Sequence, residues 1–170
     1  MAHTATSLTA LYQTTDGVLP FALTGVTNEV ATTRIRDGQG PSISWTLGHL
    51  LHFRHHVVGL LGGTKEESFA SFAKGGATDG SAGPDIAELE AAWERVGAAL
   101  TERLAGASDD QLRQPSGGVG PHGEKTVLDE VVFLAWHEAY HLGSIGSIRT
   151  ALGLRPTAEL VMEAAGAATG

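Results

Sequence analysis

His137 and His141 stand four residues apart in the segment His137-Glu138-Ala139-Tyr140-His141, inside an apolar stretch that runs from Thr126 to Leu152. On a helix this spacing puts both imidazoles on one face. Val127, Leu134, Ile145, Ile148 and Leu152 share that face, all within about 80° of His137. Two imidazoles would then project into the core. Burying them is costly unless something satisfies their nitrogens, and a shared metal ion is the strongest partner available.

The same five residues spell H-E-x-x-H, which in zinc peptidases supplies two ligands and a glutamate general base. The context weakens that reading. Its commonest extension needs glycine at 144 and histidine at 147, where this chain has Ser144 and Ser147. A downstream glutamate ligand would have to be Glu159 or Glu163, in the terminal tail, and no strand precedes the helix to present a substrate edge. The peptidase is therefore the weakest of the metal readings.

The better third ligand lies upstream. His49, in Ser44-Trp45-Thr46-Leu47-Gly48-His49-Leu50, falls on an apolar stripe with Phe53, Val57 and Leu60. Two histidines from one helix and one from a facing helix make a triad that leaves positions open for water or substrate. Imidazole ligands suit zinc, nickel, copper or iron, with zinc or nickel expected here. Glu130, two turns before His137, and Glu138 could orient the second nitrogen of a ligand. The bland alternative is a set of buried neutral histidines that merely pack, which suits a lone histidine better than three converging ones. His52, one turn from His49, could replace it. His56 is about 10 Å along the helix, and His55 faces away from the stripe, so His52, His55 and His56 are expected at the surface or a pocket rim. His3 and His122 are expected in solvent. Trp45, Trp93 and Trp136 read as packing residues, with Trp45 near enough to His49 to line a pocket.

These residues must be positioned by something, and the length of 170 residues suits one domain with a sizeable core, spanning 1–170. A net charge of −8 argues against nucleic acid and anionic membrane surfaces as partners. No apolar run approaches the roughly 20 residues of a membrane span, and the first residues lack the pattern of a secretory signal. There is no cysteine, so disulfides, thiolate ligands and a thiolate nucleophile are all excluded. A cytoplasmic protein fits. Any metal must be held by His, Asp or Glu.

Helical spacing marks four long elements. The first covers Ser7 to about Gly25, with Gly17 and Pro20 expected to weaken or kink it. A short turn follows from Thr27 to Arg34, then a loop ending at a capping Ser42. The second helix runs from Ile43 to Leu61 and stops at Gly62-Gly63. Thr64 to Pro84 reads as a long surface loop with a single turn of helix. Asp85 and Glu88 form a capping box for the third helix, which reaches about Leu104. The connection from Ser108 to Lys125 is rich in proline and glycine. Thr126 and Asp129 cap the fourth helix, and a last helical turn is expected around Leu160 to Ala165. With no period-2 strand, the expected class is all-α, a four-helix bundle.

The ordered set Ser44-Trp45-Thr46-Leu47-Gly48-His49-Leu50, Glu124-Lys125-Thr126-Val127-Leu128-Asp129-Glu130 and Trp136-His137-Glu138-Ala139-Tyr140-His141-Leu142-Gly143 resembles the DinB-like family. The resemblance extends from Leu8 to Leu154. It implies an up-down-down-up bundle, commonly a homodimer, with a divalent metal on three histidines that fall at His49, His137 and His141. Members include thiol transferases using bacillithiol or mycothiol and a mycothiol-dependent maleylpyruvate isomerase, while many have no assigned reaction. The family's H-x-x-x-H pattern does not require Glu138. The expectation is a metal-dependent transferase or hydrolase acting on a small molecule, with any thiol supplied by a low-molecular-weight cofactor. The alternative is a non-catalytic or stress-response module whose metal is structural, closed by Glu130 or His52.

Overall fold

The structure, a computed structural model, describes residues 3–73, 84–120 and 123–167. His122 lies outside them, as does the side chain of His3. The class is all-α. Helix α1 (His3–Leu23) buries Leu8, Tyr12, Leu19, Ala22 and Leu23 along one stripe. It passes through Gly17 and Pro20, the positions expected to weaken or kink it, as one continuous element. Pro20 removes one helical hydrogen bond, that of its own missing amide, and the helix continues to Leu23 beyond it. Helix α2 (Asn28–Thr32) starts at an N-cap Thr27, whose hydroxyl accepts from the Val30 amide.

Helix α3 (Ile43–Leu60) begins where Ser42 Oγ accepts from the Trp45 amide. Every residue from Ile43 to Leu51 is buried, so the first half of the helix is surrounded on all sides. Leu61 closes it, and Gly62 takes φ +78° to turn the chain away. A single 3-10 turn, Ala70–Phe72, follows in the connection. Helix α4 (Ile86–Gly106) carries the expected Asp85/Glu88 capping box.

The connection from 108 to 126 departs from expectation. It holds a one-turn helix α5 (Asp109–Leu112) and an antiparallel hairpin, β1 (Pro115–Gly120) with β2 (Gly123–Thr126). The register shifts between Pro115 and Val119, around Gly117 at φ +79°. The hairpin buries no side chain completely, so it writes no hydrophobic alternation into the sequence. Helix α6 (Val127–Ala151) starts at the Thr126/Asp129 capping box. Helix α7 (Thr157–Ala167) is longer than the single turn expected and has no fully buried residue.

Helices α1 and α3 each pack against both α4 and α6, so the four long helices close a ring around one hydrophobic core. Two buried arginines tie it together. Arg149 on α6 donates to the carbonyls of Phe21, Ala22 and Thr24 at the C-terminal end of α1, and to that of Arg155. It satisfies acceptors that a helix end leaves open, and its charge suits the negative end of the α1 dipole. Arg54 on α3 occupies the centre. Its guanidinium meets both Glu138 oxygens at 2.8 and 2.7 Å, Asp16 Oδ1 at 2.7 Å and Thr15 Oγ1 at 3.3 Å. It lies 3.4 Å from the ring centroid of Trp93. One side chain thus links α1, α3, α4 and α6. Gly97 on α4 makes this possible, because a Cβ there would sit 3.0 Å from Arg54 Nη1.

Candidate metal centre

The capping of α3 and α6 sets where their histidines fall. His49 comes up on the buried face of α3, and His137 and His141 on the face of α6 that packs against it. The three rings meet, with centroids 5.1 Å apart for His49–His137, 4.9 Å for His49–His141 and 4.4 Å for His137–His141. One nitrogen from each lies within 4.8 Å of the other two. His49 Nε2 and His137 Nε2 face each other at 3.2 Å. That is close to the separation of about 3.3 Å that two nitrogens bound to one tetrahedral zinc would have.

The hydrogen bonding fits a cation. His49 Nδ1 donates to the Phe72 carbonyl at 2.7 Å, which leaves Nε2 as a bare acceptor. His137 then has two choices. If its Nε2 donates to His49, its Nδ1 becomes an acceptor with no donor; if its Nδ1 carries the proton, two lone pairs oppose each other. His137 Nδ1 is buried and has no hydrogen-bond partner among the described residues. Neither arrangement of protons satisfies the pair, and a shared cation removes the lone-pair opposition.

Burial also keeps the rings neutral. His137 and His141 are pulled down from the ordinary histidine value to about 4, chiefly by desolvation, with His141 and His49 adding to the effect at His137 and His49 at His141. His49 is lowered for the same first reason. Neutral imidazole is the form that ligates metal. The walls are aromatic. Trp45 stacks on His49 at 4.9 Å with planes 16° apart, and Phe53 sets its edge against His49 and His137. Phe72 is held against α3 by Gly48, where a Cβ would lie 2.7 Å from the Phe72 ring. A side chain at 48 would displace the residue whose carbonyl orients His49.

The structure therefore brings together His49, His137 and His141 and separates them from the other residues considered. No fourth His, Asp or Glu joins the trio among the described residues. Glu130 accepts from Ser116 and lies 3.6 Å from His56 and 3.7 Å from Lys125. Glu138 is buried and engaged by Arg54 and Thr15, so it orients no histidine. Phe72 does that for His49. His52 is half-buried, edge-on to Phe53. His55, expected at the surface or a pocket rim, is buried and lines a cavity with Glu66 and Arg95, stacked 5.9 Å from Phe69 and 3.7 Å from Glu66. Trp136, expected to pack, is 61 % exposed.

Sequence reasoning missed Arg54, Asp16 and Thr15 altogether. The available signal was a lone charge among Leu50, Leu51, Val57 and Val58. An arginine inside an apolar run is rarely buried without a partner. The Phe72 carbonyl left no such signal, because backbone acceptors are not written in side chains.

No curated protein matches this chain. Residues 10–145 match the DinB superfamily, a span that takes in most of α1, all of α3 and α4, and all three histidines. With the all-α ring and the convergent histidines beside that match, the chain belongs to the DinB superfamily.

Proposed function

We propose that this protein is a metal-dependent enzyme acting on a small molecule, with a divalent cation held by His49, His137 and His141. The observation that carries the reading is the convergence of three imidazoles, with one nitrogen of each within 4.8 Å of the others and the Nε2 atoms of His49 and His137 facing at 3.2 Å. Three protein ligands leave coordination positions free, as catalytic sites do. Zinc or nickel suits the donor set. When bound, such an ion acts as a Lewis acid and lowers the pKa of a water or thiol that joins it.

The chain's own residues prepare the site. The Phe72 carbonyl fixes the tautomer and angle of His49. Desolvation keeps His137 and His141 unprotonated at neutral pH, so a cation meets little competition from protons. Trp45 and Phe53 keep water from the inner flank. The reaction is a transfer or a hydrolysis. Because the chain has no cysteine, a thiol nucleophile would come from a low-molecular-weight cofactor. A structural metal in a non-catalytic module would need a fourth protein ligand, and Glu130 and His52 stand outside the trio.

Elemental analysis of untagged protein, purified without added metal, tests the site. Wild type should carry a stoichiometric divalent ion, and His137→Ala and His141→Ala should carry almost none, while His56→Ala should match wild type. Equal metal content in all four proteins would sink the assignment. Metal-loaded and metal-free wild type should then differ in turnover of low-molecular-weight thiols with electrophiles, or of hydrolysable esters and amides. We also take residues 1–170 as one domain, forming a homodimer in the cytoplasm. Light scattering checks the dimer. No described helix is long and apolar enough to cross a membrane.

A further inference from the structure

Three aromatic side chains on α6 stand largely open to solvent among the described residues. Phe133, Trp136 and Tyr140 are 45 %, 61 % and 60 % exposed. Trp136 and Tyr140 lie 5.8 Å apart with planes 23° from parallel, and Phe133 and Trp136 lie 5.9 Å apart at 36°. The row runs alongside the histidines. Tyr140 touches the His141 ring at 5.1 Å, and Phe133 approaches His137 at 6.1 Å. Lys125 Nζ sits 4.8 Å above Phe133 and closes that end.

Large aromatic rings are not left in water on a helix surface without consequence. Three half-exposed rings leave roughly 300 Å² of apolar surface, well below the about 800 Å² per partner that a stable protein interface buries. The size suits a small molecule. The tilt of the rings decides its shape: near-parallel planes make a flat shelf, whereas an aromatic cage for a cation needs rings set around a centre.

We propose that Phe133, Trp136 and Tyr140 form a binding shelf for a planar aromatic substrate whose donor atom reaches the histidine trio. The inference rests on the metal reading given above and adds the substrate class. Trp136 and Tyr140 are specificity-determining residues: they hold the ring, and the contact of Tyr140 with His141 places it beside the histidine trio.

The test uses the full chain loaded with Zn(II) and two probes with the same metal-binding head, benzohydroxamate and acetohydroxamate. Calorimetric titration should show benzohydroxamate binding wild type about tenfold more tightly, the gain that ring stacking supplies. Trp136→Ala and Tyr140→Ala should reduce that preference to about twofold at unchanged zinc content, and Trp136→Phe should restore most of it. Equal affinity of the two probes for wild type, or a preference that survives both alanine variants, overturns the shelf. Failure of wild type to take up zinc overturns the metal reading and the shelf with it, and is read separately by metal analysis. A wild-type dimer that Trp136→Ala splits assigns this face to a second copy of the chain and also overturns it.

Discussion

Helices α3 and α6 carry two buried polar clusters that treat hydrogen bonding in opposite ways. Around Arg54, every guanidinium nitrogen finds an acceptor, both Glu138 oxygens are engaged, and the Trp93 ring covers the open face. Around His49, His137 and His141, the donors and acceptors do not balance, and one buried nitrogen has no partner among the described residues. The two clusters are neighbours, since Glu138 follows His137 directly and Arg54 lies five residues beyond His49. A saturated cluster holds helices in register; an unsaturated one leaves nitrogens able to take a ligand. Glu138 and His137, adjacent in sequence, belong to different machines.

The largest effect should come from breaking the saturated side. Arg54→Ala leaves Glu138 buried without its cation and should cost about 3–5 kcal/mol in urea unfolding. The apolar pair Arg54→Met with Glu138→Leu should cost far less, because no charge is stranded. If single and double variants cost the same, the cluster is not the clamp described.

Acid should distinguish the other side. In metal-free protein, His137 and His141 titrate near 4, against about 6.5 in the unfolded chain. Between those values the unfolded state binds more protons, so stability is whole above pH 6.5 and is lost as pH falls toward 4. The urea midpoint should drop across that window, and the double variant His137→Ala/His141→Ala should show a flatter profile. An unchanged slope would contradict the desolvation of these rings.

Gly48→Ala probes the strap over the histidines. A Cβ 2.7 Å from the Phe72 ring should cost about 1–3 kcal/mol by overpacking. By moving the Phe72 carbonyl it should also weaken metal affinity by about tenfold or more, measured against a chromophoric chelator. Unaltered affinity would mean that this carbonyl does not orient His49. The smallest effect should follow Asp85→Ala, far from both clusters. Loss of the α4 cap costs about 1 kcal/mol and should leave metal binding and the acid profile as in wild type.

Much of this arrangement is legible in the sequence, and the reasons are local. Ser42, Asp85 and Thr126 announce three helix starts through side chains that bond the backbone within three residues. His137 and His141 announce a shared face through their spacing, and His49 through the stripe around it. What escaped was non-local or unpatterned. Arg54 meets Glu138 across 84 positions of chain and Asp16 across 38, and a lone charge in a sequence reads as a solvated one. The hairpin of β1 and β2 is half glycine on its first strand and buries no side chain completely, so it leaves no alternation to detect. Trp136 reads as a packing residue, yet its position one residue before His137 turns it about 100° away from the core face.

The two buried arginines also differ in what can be taken from them. Arg54 is held by carboxylates, which accept protons in acid. Arg149 is held by four peptide carbonyls, which do not. The joint between the end of α1 and the end of α6 therefore has no titratable counter-ion to lose. Acid unfolding should be polar, loosening the middle of the ring while the Arg149 end still holds, and amide exchange at low pH should keep its protection longest around Ala22 and Ile148.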